Sequence, residues 1–384
     1  MSFVLTPEEE ALTELCREFA QREIAPNAAQ WSADQKCPTP VLRHMGQLGL
    51  LGLLIPEKYG GAGVSTVAMV AAMQHIGAAD QSLAAAWQAH MTIGSLPLLR
   101  FGTEEQKQRW LRPLAEGTAL AAFGLTEPNA GSDAGGIETT ARRTRDGWVI
   151  DGRKMFISNA GTDMSFGVTV LARVVEDGQQ VGYASFVIER DTPGYSWGNK
   201  LQGIGWRALD SRELIFDGVQ VPDDHLIGDP SGGLRQFLEV LETGRISVAA
   251  LSVSCAQAVL DLSLDYARTR TQFGRSISKF QAIQFKLADI ATETEAARLL
   301  TFNAAALRDA GKPFRREAAM AKLKASRVAR WATSEAVQIH GGYGYMMESP
   351  VARFYCDAKV LEIGEGTNEI QHLVIARDLI EAGA

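Results

Sequence analysis

The run Ile363-Gly364-Glu365-Gly366-Thr367-Asn368-Glu369-Ile370-Gln371 sets an acidic side chain between two glycines. Glycine lets the backbone approach a planar ligand closely and leaves the carboxylate uncrowded, which suits a catalytic base. The same composition suits a solvated loop, since Asp and Glu are mostly exposed in folded proteins. The other segments rich in chemistry decide between the two.

Four further runs could meet a ligand. Leu125-Thr126-Glu127-Pro128-Asn129-Ala130-Gly131-Ser132-Asp133-Ala134-Gly135-Gly136 can aim backbone N–H groups at a phosphate or a flavin edge, with Thr126 and Ser132 adding hydroxyls. It could equally be a surface connection. In Lys154-Met155-Phe156-Ile157-Ser158-Asn159-Ala160-Gly161 an aromatic is followed two residues on by a hydroxyl, which on a strand places both on one face. A flat ring could stack on Phe156 while Ser158 bonds its edge, although a Phe in the core is the default. Arg268-Thr269-Arg270-Thr271-Gln272-Phe273-Gly274 carries two guanidinium groups suited to a pyrophosphate, or to the C-terminal end of a helix dipole. Gln338-Ile339-His340-Gly341-Gly342-Tyr343-Gly344-Tyr345 permits close backbone approach but lacks the strand that a dinucleotide glycine motif requires.

At 384 residues the chain is long enough for two or three domains, and 46% hydrophobic with 22% charged residues is a soluble globular composition. A net charge of -7, with no basic stripe, points away from nucleic acid and anionic membranes as partners. No apolar run approaches the roughly 20 residues of a membrane span, and no export or organelle leader is read at the N-terminus. Cys16, Cys37, Cys255 and Cys356 lack CxxC spacing, so a reducing cytoplasm is the expected location. Six dispersed histidines, without HExxH, predict no metal site, and no Walker A sequence is present.

The positioning elements read as helices, then sheet, then helices. Thr6-Pro7-Glu8-Glu9-Glu10 resembles an N-cap with Pro at the first helical position, leading into Leu12, Leu15, Phe19 and Ile24. Gly102-Thr103-Glu104-Glu105-Gln106 starts another capped helix, and the stretches 67–76 and 83–99 are rich in helix formers. From about residue 121, β-rich runs bounded by Asp151-Gly152 and Asp177-Gly178 continue to Pro222. Leu234, Leu238, Leu241, Val248, Cys255, Val259, Leu262 and Tyr266 then form a bundle seam; a second helix carries Ile283, Leu287, Ile290 and Ala297, and a third spans 316–339. The layout is α+β, with expected domains at 1–120 (all-α), 121–232 (β) and 233–384 (helical bundle), and ligands where they meet.

In this order and at these separations, the runs 125–133, 154–159, 270–274, 338–344 and 365–371 resemble the signatures of the acyl-CoA dehydrogenase flavoproteins, over nearly the whole chain. The resemblance implies an N-terminal helical domain, a middle β-barrel-like domain and a C-terminal four-helix bundle, assembled as a homotetramer with FAD as cofactor. It implies FAD contacts from Phe123, Leu125, Thr126, Gly131, Ser132, Phe156 and Ser158. Arg270, Phe273, Gln281, Gln338 and Gly342 would hold the ADP part from a neighbouring subunit, with Thr367 and Glu369 near the adenosine half. Glu365 matches the base that takes the α-proton of an acyl thioester, giving a trans-2-enoyl product. Ser132, Glu242, Arg245, Gly364 and Gly366 would line the substrate site. The implied partners are an acyl-CoA, or an acyl group on a carrier protein, and an electron-transfer flavoprotein.

Some members place the base directly before an arginine on the bundle helix, and here that position is Gly244. The residue before the base is commonly aromatic, and here it is Gly364, which would widen the acyl channel towards bulkier or branched groups. Trp87, His90 or Met91, on the helix expected to floor the pocket, could offset that loss. Acyl-CoA oxidase or flavin monooxygenase chemistry on the same fold, and a scaffold that has lost its flavin, are the alternative readings. Glu365 counts against the monooxygenase, and the persistence of Thr126, Ser132, Ser158 and Arg270 counts against the scaffold.

Overall fold

The computed structural model describes residues 5–382. Helix α1 (Pro7–Phe19) opens on a capping box: Thr6 accepts from the Glu9 N–H, and the Glu9 carboxylate accepts from the Thr6 N–H in return. After α2 (Thr66–Ala79), Asp80 caps α3 (Gln81–Ala89) by accepting from Leu83 N–H at 2.7 Å. Thr103 and Gln106 form a second capping box on α4 (Glu104–Ala115). Every residue of α3 is buried, its polar Gln81, Ser82 and Gln88 included. A helix with no wet face must satisfy its polar side chains from inside the protein.

The chain then enters a mixed sheet of β1 (Phe123–Gly124), β2 (Thr140–Thr144), β3 (Gly147–Ser158), β4 (Gly167–Glu176), β5 (Gln179–Glu189), β6 (Tyr195–Trp197), β7 (Ser211–Val221) and β8 (Leu226–Ile227). The order is β6-β7-β3-β2-β4-β5-β8, with β1 added alongside β4. Most pairs are antiparallel, while β4 runs parallel to both β1 and β2. Alternating Trp148 and Ile150 pack with Val168, Val170, Ala172, Phe186, Leu214 and Phe216 between the faces. Asn159, just past β3, donates through Nδ2 to Ala86 O at 2.9 Å and Ala121 O at 3.3 Å, fastening the sheet to α3.

The C-terminal helices are α5 (Gly233–Thr269), α6 (Gln281–Asp309), α7 (Arg315–His340), α8 (Pro350–Leu361) and α9 (Asn368–Ala382). Leu241, Val248, Cys255 and Val259 of the expected seam are buried, whereas Leu238 is 41% exposed. The first turns of α5 dock on the sheet through Phe237, Val240 and Leu241, with Phe237 stacked on Phe123 at 4.3 Å, and this turns Leu238 outward. Helix α5 is long and apolar enough to cross a membrane by length and composition, contrary to the sequence reading, and its apolar stretch is mostly buried in this fold.

Candidate active site

Glu365 lies in the link between α8 and α9, on backbone at φ +53°, followed by Gly366 at φ +92°. Left-handed backbone at a residue other than Gly costs about 1 to 3 kcal/mol and persists only where surroundings impose it. Those surroundings are visible. Lys322 of α7 donates to Gly366 O at 2.9 Å and Asn368 Oδ1 at 3.1 Å, and Gln371 Nε2 reaches the same carbonyl at 2.7 Å. Gly364 has ordinary φ, and a Cβ there would meet only Val360 O, at 3.5 Å.

The Glu365 carboxylate turns inward. Oε1 accepts from Gln88 Nε2 of α3 at 2.6 Å, while Oε2 is shut off from solvent with no partner. Burial pushes its pKa up to about 7, against the opposing pull of Gln88, Lys322 and Arg245. A carboxylate poised near neutrality, with one oxygen free, is equipped to accept a proton. Among the described residues no backbone or side-chain acceptor meets the Glu365 N–H, which leaves it available to a ligand carbonyl.

The carboxylate rests on Gly244 of α5. A Cβ built there would overlap Oε2 and stand 2.9 Å from Cδ, with Ile93 Cγ2 at 3.0 Å. Arg245 follows, nearly buried, with Nε and Nη1 lacking partners. Burial lowers its pKa and that of Lys322, the latter to about 8, which leaves Lys322 mostly cationic at neutral pH. Glu242 is half-buried, raised by burial, and pairs weakly with Arg315 at 3.9 Å.

On the sheet side a buried ion pair joins two of the sequence runs. Lys154 Nζ meets Glu127 Oε1 at 2.7 Å and Leu125 O at 3.0 Å; Glu127 also accepts from the N–H groups of Glu138 at 2.5 Å and Thr139 at 3.0 Å. Met155 N–H donates to Thr126 O at 2.8 Å. The 125–133 loop is thereby clamped along β3. Within β3 the register shifts between Lys154 and Ile157, so that Met155 and Phe156 oppose Glu213 alone. Phe156 takes φ +62° and its ring is 67% exposed. The simple strand alternation expected for Phe156 and Ser158 is therefore broken by a bulge, a device that re-aims a side chain. Among the described residues neither the Thr126 nor the Ser158 hydroxyl has a protein partner. Gly131 and Ser132 are exposed, and nothing lies within 4 Å of a Cβ built on Gly131. Leu125 and Phe123 are buried in the cluster that docks α5.

Family models for the N-terminal, middle and C-terminal domains of acyl-CoA dehydrogenase match residues 6–118, 122–219 and 231–380. The chain belongs to the acyl-CoA dehydrogenase family. A probable acyl-CoA dehydrogenase of Bacillus subtilis, YngJ, is 48% identical over 99% of this chain and 100% of its own length. The bovine mitochondrial short-chain specific acyl-CoA dehydrogenase is 42% identical over 97% of this chain and 90% of its own. The structure of butyryl-CoA dehydrogenase from Megasphaera elsdenii superposes with a TM-score of 0.96 at 38% identity, covering 99% of this chain and 100% of that one. An acyl-CoA dehydrogenase of Bacillus anthracis, solved with FAD, matches with a TM-score of 0.93 at 31% identity, over 99% of this chain and 68% of that one.

This acyl-CoA dehydrogenase is an FAD-dependent oxidoreductase, and its residues fit the cofactor. The unpartnered hydroxyls of Thr126 and Ser158, the exposed Phe156 side chain and the open space at Gly131 leave these two clamped runs with groups suited to a flat, hydrogen-bonding ligand. The residues expected at the ADP half lie elsewhere. Arg270 caps the far end of α5 beside the Tyr343 ring at 5.7 Å, Phe273 is 93% exposed at φ +50°, and Gln281, Gln338 and Gly342 are exposed near them. Thr367 and Glu369 begin α9 beside the base, Glu369 exposed. No group of His, Cys, Asp or Glu able to hold a metal occurs among the described residues.

Sequence reasoning missed Gln88, Thr92, Ser247 and Lys322 of this acyl-CoA dehydrogenase. It pointed instead to Trp87, His90 and Met91, which face the wrong way. Trp87 donates to Leu50 O at 2.7 Å, His90 accepts from Ala121 N–H at 3.0 Å through Nδ1, and Met91 sits in the core. One step along a helix turns a side chain by about 100°, so the neighbouring stripe, Gln88 and Thr92, faces the base.

Proposed function

We propose that this enzyme removes the α- and β-hydrogens of a short acyl-CoA thioester to give the trans-2-enoyl-CoA, with an electron-transfer flavoprotein as acceptor. The observation that carries this reading is the buried Glu365 carboxylate, one oxygen held by Gln88 and the other free, beside the partnerless guanidinium nitrogens of Arg245. Glu365 Oε2 takes the α-proton. Its own free N–H donates to the thioester carbonyl, where preorganised donors of this kind are typically worth about 3 to 4 kcal/mol each. Thr126, Phe156 and Ser158 on the sheet face would hold FAD, which when bound would supply the hydride acceptor for the β-hydrogen. Arg245, sequestered beside Glu365, is assigned to the CoA portion of the substrate, with Glu242 and Gly366 flanking it.

A short chain is favoured by the names of the bovine and Megasphaera relatives, and the room at Gly364 suits a substituent on that chain. We assign Arg270, Phe273, Gln281, Gln338 and Gly342 to the ADP half of a neighbouring subunit's FAD in a homotetramer. The exposure of Phe273, Tyr343 and Tyr345 supports an intersubunit role for that corner. The reducing cytoplasm is the proposed location, in keeping with four unpaired cysteines.

Anaerobic titration of the FAD-loaded enzyme with butyryl-CoA, longer acyl-CoAs and branched acyl-CoAs tests the reading through bleaching of the flavin absorbance. Butyryl-CoA should bleach it, and Glu365→Gln should retain FAD without bleaching. Reduction of that variant at the wild-type rate sinks the assignment.

A further inference from the structure

Three acceptors surround the side-chain amide of Gln88. Its Nε2 lies 2.6 Å from Glu365 Oε1, 2.8 Å from Ser247 Oγ and 3.0 Å from Thr92 Oγ1, and the residue is 2% exposed. Neither hydroxyl competes as a donor there. Ser247 gives its hydrogen to Gly244 O at 2.8 Å and Thr92 to Gln88 O at 2.8 Å, so each turns a lone pair towards the amide. A carboxamide has only two N–H bonds to share among three oxygens.

We propose that Gln88 is a positioning residue for Glu365: it holds Oε1 so that Oε2 is the proton-accepting oxygen, with Ser247 and Thr92 as reserve acceptors when the carboxylate turns to substrate. This rests on the reading of Glu365 as the base. The reserve acceptors matter because a buried donor left unpaired is strongly unfavourable, and such a donor would tie the carboxylate down. With both hydroxyls in place Gln88 keeps two bonds in either position of the base. Three helices meet at this point: α3 brings Gln88, α5 brings Ser247 beside Gly244 and the Arg245 cation, and α7 brings the Lys322 cation, with Glu362 and Glu369 near that lysine.

The test is single-turnover flavin reduction by butyryl-CoA, followed against pH in the FAD-loaded enzyme. Gln88→Leu removes the donor; reduction at pH 7 should fall by about tenfold or more, and the midpoint of its pH profile should rise by about one unit, since each unit corresponds to a tenfold change in ionisation. The FAD content and the butyryl-CoA dissociation constant should stay within about twofold. Thr92→Val with Ser247→Ala removes the reserve acceptors, leaves Gln88 to the base alone and should move the midpoint the opposite way, downward. This second variant decides the matter if Gln88→Leu does not fold. A wild-type midpoint in either folded variant, while Glu365→Gln is inactive, overturns the role of Gln88 and leaves the base assignment standing. Flavin reduction in Glu365→Gln overturns the base assignment itself.

Discussion

The Glu365 carboxylate occupies the space that any side chain on Gly244 would need, so that a base from the α8–α9 link and a side chain at this point of α5 exclude one another. Gly244 thus makes room as well as lacking a carboxylate of its own. Gly244→Ala should fold, because the overlapping atoms are the end of a flexible side chain, yet it should displace the base. Flavin reduction by butyryl-CoA is expected to drop at least about 100-fold, the scale of a misplaced catalytic group, with FAD absorbance intact.

Burial raises the Glu365 pKa from 4.5 to about 7. Activity in the free enzyme should therefore rise with pH through about 7, as the carboxylate form appears. For stability the sign is opposite: a raised folded-state pKa favours the protonated fold, so the contribution is full below about pH 4.5 and is lost as pH rises through 7. Glu365→Gln should melt higher than wild type at pH 8 and match it only below about pH 4. The difference is bounded at about 3 kcal/mol, read from paired thermal melts.

Asp357 and Asp80 behave alike. Burial raises them to about 7 and about 6, each leaves one oxygen without a partner, and Asp357 also feels the neighbouring Asp80 charge. Asp357 accepts from Trp206 N–H at 2.5 Å, a bond an amide oxygen can replace. Asp357→Asn should be neutral only below about pH 4, where the carboxyl is protonated in both states, and raise the melting temperature by a few degrees at pH 8. A lower melting temperature at pH 8 would show that the ionised carboxylate stabilises the fold.

The two ends of the Glu127–Lys154 pair should respond unequally. Glu127→Ala leaves a buried ammonium with only Leu125 O, and removing one partner of a buried pair typically costs about 3 to 5 kcal/mol. Lys154→Met leaves Glu127 the N–H groups of Glu138 and Thr139, so the loss should be smaller. Both should release FAD more readily, measured by flavin fluorescence on dilution, because the clamp aligns Thr126 with β3.

Features decided locally were legible in the sequence. The capping boxes at Thr6 and Thr103 depend on residues three apart, and Asp177-Gly178 turns β4 into β5 as expected, whereas Asp151-Gly152, read as a strand boundary, lies within β3 at a register shift, because a bulge absorbs the glycine. The environment of Glu365 was not legible, because Gln88 and Glu365 are 277 positions apart. Helix α3 also hides its facing: with all sides buried it lacks the apolar stripe that would separate the Gln88 side from the Trp87 side. The bulge that exposes Phe156 is a register event between β3 and β7, and neither strand announces it alone.

Gly244 and Arg270 share one rod. Helix α5 runs without interruption from the base pocket to the arginine at its end, about 40 Å at roughly 1.5 Å per residue. The spacing between a subunit's own chemistry and whatever Arg270 reaches is therefore a ruler written in residue count. Deleting one residue midway would shorten it slightly and turn the arginine by about 100° relative to the pocket, altering the relation between two distant sites while leaving every residue at both ends unchanged.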